Sequence, residues 1–264
     1  MIVVFANQKG GVGKTTTTAS IASILAKQGK KVLAIDIDPQ SNLTSGFGFD
    51  KSRDYLSIYE VLVHNIDVAE VFVVSDINEN LHLIPSKIDL AGAEIELVSR
   101  FSREKILKEK LESVKNVYDY ILIDSPPSLG LLTLNALVAS DGVVIPVQCE
   151  YYALEGISQL VKTVDLVKKS INNDLEIFGV VMTMFDARTR LSSEVVIEVK
   201  NFFGTKVFDT IIPRNVRISE SPSYGKPIDL YDPASIGAKA YEKLTQEFIE
   251  RMSKYGRMSN YGEK

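Results

Sequence analysis

The sequence predicts a single α/β domain built on a mostly parallel, twisted sheet with helices on both faces. Three observations carry that expectation. Short β-branched runs alternate with stretches of helical periodicity along the whole chain, which is the pattern of right-handed βαβ units. The first run enters a glycine-rich turn, Lys9-Gly10-Gly11-Val12-Gly13-Lys14-Thr15, and a helical pattern starts directly behind it. Two later runs lead into aspartates, Asp36 and Asp124, at the carboxyl ends of strands, where open parallel sheets bind their ligands.

Taken in order, the runs Ile2 to Ala6, Val32 to Ile35, Leu81 to Ile84, Tyr120 to Ile123, Val143 to Val147, Ile177 to Met184 and Val207 to Ile212 are nearly continuous in apolar residues. That continuity marks strands buried on both faces. The stretch Thr15 to Gln28 places Ile21, Ile24 and Leu25 on one side of a helix, and Leu154, Ile157, Leu160, Val161, Val164 and Val167 do the same in a later one. No Pro/Gly/Ser-rich linker and no internal repeat divides the chain, so one domain over residues 1–252 is expected. Residues 253–264, with Gly256, Ser259, Asn260 and Gly262, read as a flexible C-terminal tail.

At 264 residues, 45% hydrophobic and 24% charged, the chain can bury about three quarters of its unfolded surface and needs no disulfide or structural metal. Its one cysteine excludes an internal disulfide, and with two histidines it cannot build a Cys/His zinc site. Cys149 is expected to be a buried small hydrophobe in a reducing compartment. No apolar run approaches the ~20 residues of a membrane span, and Met1 to Ala6 carries no basic region of an export signal. A cytoplasmic protein is expected. The net charge of -4 makes the whole molecule a poor binder of polyanions, so any nucleic-acid role must use a local patch. The stretch Asp186 to Lys226 is weakly basic, with seven lysines and arginines against five carboxylates.

The glycine-rich turn has the chemistry of a phosphate cradle. Gly10, Gly11 and Gly13 let successive N–H groups face inward as an anion nest, and Val12 to Thr16 lead into a helix whose N-terminus adds positive potential. Lys14 then reaches the β- and γ-phosphates of a nucleotide, and the Thr15 hydroxyl ligates Mg²⁺. The general motif G-x-x-x-x-G-K-[ST] puts glycine at position 8, where this chain has Gln8. Of the two aspartate sites, Asp124 in Asp124-Ser125-Pro126-Pro127 matches a Walker B element that holds Mg²⁺ directly or through water. The other site, Asp36-Ile37-Asp38-Pro39-Gln40, also follows an apolar run and places two carboxylates at a strand's carboxyl end. A helix N-cap is the competing reading for either aspartate.

The missing glycine and the extra Lys9 carry a resemblance. Lys9-Gly10-Gly11-Val12-Gly13-Lys14-Thr15 resembles the deviant Walker A motif, K-G-G-x-x-K-[ST], of the ParA/MinD group of phosphate-loop ATPases. Further segments, Leu90 to Leu97, Asp124 to Gly130, Val147 to Gly156 and Ile212 to Arg217, are similar to those of the Soj/ParA chromosome-partitioning ATPases, to about Leu244. The resemblance implies an ATPase with ATP and Mg²⁺ as cofactors, whose signature lysine, here Lys9, reaches the ATP of a second subunit in a sandwich homodimer. Asp36-Ile37-Asp38-Pro39-Gln40 resembles the group's D-x-D-P-Q segment, which implies that Asp38 positions the attacking water and belongs to the metal site while Asp36 supports the loop. The resemblance implies that Lys9, Lys14 and Asp38 are the catalytic residues and that Pro213 and Asn215 contact adenine. It also implies sequence-independent binding of double-stranded DNA on the nucleoid through Arg188, Arg217 and Arg214. A ParB (Spo0J) partner would stimulate hydrolysis and release the DNA. Because the first strand begins at Ile2, the helix-turn-helix extension of the larger plasmid ParA proteins is not expected, nor is operator-specific repression.

The alternative within the group is a MinD-like ATPase that binds membrane through a C-terminal amphipathic helix. Tyr241, Leu244, Phe248, Ile249 and Met252 would form its apolar face, but Glu242, Glu247 and Glu250 make the opposite face acidic, where a membrane-surface helix carries lysine and arginine. A final helix packed on the sheet, with no membrane contact, is expected. One cysteine excludes the cluster chemistry of nitrogenase iron proteins, and no residues distinctive of a cobyrinic-acid or dethiobiotin synthetase stand out.

Overall fold

The computed structural model describes residues 1–52, 54–151 and 153–259, and for Glu155 and residues 256–259 the backbone only. β1 (Ile2–Phe5) leads through the glycine-rich turn into α1 (Lys14–Lys27), and β2 (Val32–Asp36) into the short α2 (Asn42–Gly46). Helices α3 (Ile58–Val63) and α4 (Val68–Val71) precede β3 (Val73–Val74) and β4 (Leu81–Ile84). Helices α5 (Leu90–Glu96) and α6 (Ile106–Leu111) precede β5 (Tyr120–Asp124). Then come α7 (Leu131–Ala139), β6 (Gly142–Gln148), α8 (Ala153–Ser170), β7 (Glu176–Thr183), α9 (Arg190–Phe203), α10 (Val216–Glu220), α11 (Ile228–Tyr231) and α12 (Ile236–Ser259).

Among the described residues the seven strands form one sheet in the order β3-β4-β2-β5-β1-β6-β7. All neighbours are parallel except β3 and β4. Alternate residues of each strand feed the cores on opposite faces. Val3 and Phe5 join α1 and α12 through Ile21, Leu25, Tyr241, Leu244 and Phe248, while Val4, Ile121 and Ile123 join α7 and α8 through Leu132, Leu137, Ile157 and Leu160. Burial on both faces is why these strands read as unbroken apolar runs. The chain leaves β1 toward β2 on one side and returns through β5 to reach β6 and β7 on the other, so a crevice opens at the carboxyl end of β1. The register aligns Phe5 and Asp36 with Asp124 on either side.

Two expectations change, and one strand is new. Val207 to Ile212 is not a strand: it meets β7 only at an isolated bridge, Val207 to Val180, and through hydrogen bonds from Phe208 and Ile212 N–H. Its middle turns away because the Asp209 and Thr210 N–H groups donate to the Glu247 carboxylate of α12 at 2.9 and 3.0 Å. The two-residue β3 was not expected, being too short for a periodic pattern. The tail does not begin at Ser253, since α12 runs on to Ser259 with Met252 buried and Tyr255 packed on Phe178, ring centroids 4.4 Å apart. Residues 260–264 lie outside the described residues. Cys149 is free and buried, and burial pushes its thiol up to about 12.

Candidate functional site

Strand β1 delivers the chain to the sheet edge, and two side chains to which the sequence motifs give no role shape the loop there. Asn7 Nδ2 donates to the Pro146 carbonyl of β6 at 2.7 Å while its Oδ1 accepts the Lys9 N–H at 3.0 Å. Thr183, last residue of β7, donates its hydroxyl proton to the Val12 carbonyl at 2.8 Å. Their signal is positional: each lies at a strand's carboxyl end, a fact known only once the strands are paired. Gly11 and Gly13 take φ of 72° and 91°, the left-handed region that glycine enters without strain.

Lys14 is buried inside the loop, its Nζ 3.3 Å from the Lys9 carbonyl. Burial pushes its pKa down, and the Asp124 and Asp38 carboxylates work against that shift. Thr15 Oγ1 donates to Asp124 Oδ2 at 2.7 Å, and the other oxygen, Asp124 Oδ1, is buried with no hydrogen-bond partner. Burial first, and then the neighbouring Asp36, raise the pKa of Asp124 well above the carboxylate range. A cation beside Thr15 would satisfy that orphaned oxygen and reverse the shift. The hydroxyl and carboxylate oxygens are the hard donors Mg²⁺ prefers, so the donor set fits it.

Gly10, Gly11, Gly13, Lys14, Thr15, Thr16 and Asp38 line one open cavity of about 490 Å³, which Gln40, Asn42, Ser45, Pro127, Met184, Pro222 and Ser223 complete. Asp38 is nearly buried, and its Oδ1 accepts the Gln40 N–H at 2.9 Å. It caps no helix: Ser41 precedes α2. Asp36 lies behind it, fully buried, its pKa pushed up to about 6 by burial.

Not every candidate enters the cavity. Lys9 points outward, its side chain 39% exposed and its Nζ on Glu150 Oε2 at 3.0 Å. Pro213 pairs with Phe185, next to Met184, outside the cavity lining. Asn215 Oδ1 caps α10 through the Arg217 N–H at 2.8 Å. Met184 (φ 53°), Pro222 and Ser223, which carry no motif in the sequence, close the cavity instead.

The basic candidates lie at the same end of the sheet. Phe185 N–H donates to the Ile212 carbonyl at 3.0 Å and Arg214 N–H to the Phe185 carbonyl at 2.8 Å, which ties the segment carrying Arg188 to the one carrying Arg214 and Arg217. Each arginine faces a carboxylate. Arg188, 84% exposed, chelates Asp186 through Nε and Nη2 at 2.9 and 2.7 Å and holds that carboxyl well below its usual range. Arg217 meets Glu220 at 3.0 Å and Asp232 at 3.3 Å, and Arg214 Nη2 lies 4.0 Å from Glu150.

A family model described as an AAA domain matches residues 1–177. The sporulation initiation inhibitor protein Soj of Bacillus subtilis is 59% identical over 93% of this chain and 97% of its own length. The chromosome-partitioning ATPase Soj of Treponema pallidum is 50% identical over 94% and 97%. Among solved structures, a cobyrinic acid a,c-diamide synthase from Mycobacterium smegmatis with bound ATP analogue and magnesium superposes with a TM-score of 0.83 at 37% identity. That match covers 96% of this chain and 95% of the other.

Proposed function

The chain belongs to the Soj/ParA family of chromosome-partitioning ATPases, and from that premise we propose that it is an ATP-operated DNA-binding switch. Lys14 and the loop N–H groups bind the phosphates of ATP, and Thr15, Asp124 and Asp38 would hold Mg²⁺. When bound, Mg²⁺ offsets phosphate charge. Asp38 orients the attacking water, and Lys9 exchanges Glu150 for the γ-phosphate of a second copy, making dimerisation depend on ATP. Pro213 and Asn215 contact adenine.

The dimer binds duplex DNA without sequence preference through Arg188, Arg217 and Arg214, on the nucleoid, and a ParB-type partner stimulates hydrolysis to release it. The observation that carries this reading is the hydrogen-bonded pairing of the two basic segments at the nucleotide end of the sheet. One copy offers a weak patch in an acidic molecule, and two copies double the phosphates neutralised. The MinD-like alternative draws no support from α12, whose Tyr241, Leu244, Phe248 and Met252 are buried against the sheet. Among the described residues no helix is long and apolar enough to cross a membrane. A cobyrinic-acid synthase reading rests on 37% identity, against 59% for Soj.

The test is sedimentation of the protein with ATP, with a non-hydrolysable analogue and with ADP, against duplex DNA and against anionic liposomes. Dimerisation and DNA binding with ATP and with the analogue, but not with ADP, support the switch. Pelleting with liposomes and not DNA would replace it with the MinD-like reading.

A further inference from the structure

Asp36 ends β2 fully buried, and neutral groups hold both its oxygens. Oδ2 accepts the Thr44 backbone N–H at 2.8 Å and the Thr44 hydroxyl at 2.7 Å, and Oδ1 accepts the Asp38 N–H at 3.1 Å. The Thr44 hydroxyl in turn accepts the Ser86 N–H at 3.0 Å, and the Ser86 carbonyl accepts the Tyr55 hydroxyl at 3.0 Å. Ser86 follows β4, a neighbour of β2 in the sheet, so the network ties the Asp38 segment to a second strand.

A hydroxyl has one proton to give. With the Ser86 N–H occupying a lone pair, that proton goes to Asp36, and the plane of the carboxylate is fixed at both ends. Its far oxygen then sets the Asp38 amide, and from that amide the Asp38 side chain reaches into the cavity. Thr44 is itself fully buried and is not one of the residues that line the cavity. We propose that Thr44 is a positioning residue for ATP hydrolysis, fixing through Asp36 the direction in which Asp38 presents its carboxylate. The inference rests on the reading that Asp38 orients the attacking water. A misaimed group of this kind costs the chemical step far more than it costs binding.

The experiment is steady-state ATP hydrolysis by the full chain carrying Thr44→Val and Thr44→Ser, with circular dichroism to check folding. Thr44→Val matches the shape and removes the hydroxyl, so kcat should fall about tenfold with the KM for ATP within about twofold. Thr44→Ser should restore kcat. If Thr44→Val does not fold, Thr44→Ala against Thr44→Ser isolates the same hydroxyl. Wild-type kcat in Thr44→Val, a serine variant no faster than alanine, or a KM that rises as far as kcat falls would each overturn the proposal. Asp38→Ala and the double variant Asp38→Ala/Thr44→Val complete a cycle. The double variant should be no slower than Asp38→Ala alone, and an added loss would place Thr44 outside the Asp38 path and defeat this proposal only. Wild-type hydrolysis by Asp38→Ala would remove the role of Asp38, and the proposal with it.

Discussion

Lys9 Nζ lies 3.0 Å from Glu150 Oε2 of its own chain, and the other oxygen of that carboxylate lies 4.0 Å from Arg214 Nη2. Glu150 therefore engages both a residue assigned to the partner's nucleotide and one assigned to DNA. The pair is half-exposed, and such pairs are worth about 0–1 kcal/mol. Glu150→Gln should release Lys9 and lower the ATP concentration needed for half-dimerisation by up to about fivefold. Sedimentation velocity across an ATP titration checks this, and a rightward shift would mean that Glu150 assists dimerisation.

Lys14→Ala removes the one cation inside the phosphate loop and should abolish tight Mg-ATP binding by calorimetry. Asp124→Asn should leave ADP binding measurable but remove its dependence on Mg²⁺, because the buried oxygen that lacks a partner then belongs to an amide. Retained magnesium dependence would move the metal to other oxygens.

Within one chain, a Cβ on Gly10 would meet only Pro127, at an ordinary 3.8 Å, and its φ is not in the left-handed region. Gly10→Val should accordingly fold and bind ATP normally. If two loops face each other across a dimer, it should also stay monomeric with ATP, and an ATP-dependent dimer by ultracentrifugation would contradict that packing.

Arg188→Glu and Arg217→Glu should lose DNA binding without losing the dimer. Milder Arg→Ala variants should each flatten the dependence of log affinity on log salt by about 0.9 for every DNA phosphate left without its arginine, hence twice that per dimer. Asp186→Asn frees the Arg188 guanidinium and should tighten DNA binding a few-fold. Unchanged slopes in fluorescence-anisotropy titrations would relocate the patch.

Gly179 in β7 faces the buried Phe208, and a Cβ there would overlap its ring. The Arg251 guanidinium lies 4.1 Å from the centroid of that ring, so the ring has little freedom to yield. Gly179→Ala should destabilise the fold by about 1–3 kcal/mol, read as a fall of several degrees in Tm with ATP affinity unchanged in the folded protein.

The parallel sheet, the phosphate loop and the two aspartate edges were legible because each is written in contiguous residues. Strands covered on both faces must be apolar throughout, and a loop cradling phosphate must carry glycine where φ turns positive at Gly11 and Gly13. The roles of Asn7, Thr183 and Thr44 were not legible, since their partners, Pro146, Val12 and Asp36, come into reach only when strands pair. The same holds for Val207 to Ile212, whose strand-like composition yields to two N–H bonds from Asp209 and Thr210 to Glu247. Local periodicity is set by which face of an element meets the core. The direction of a lysine such as Lys9, or the end of α12 beyond Met252, is set by which distant groups stand beside it, and only the tertiary structure decides that.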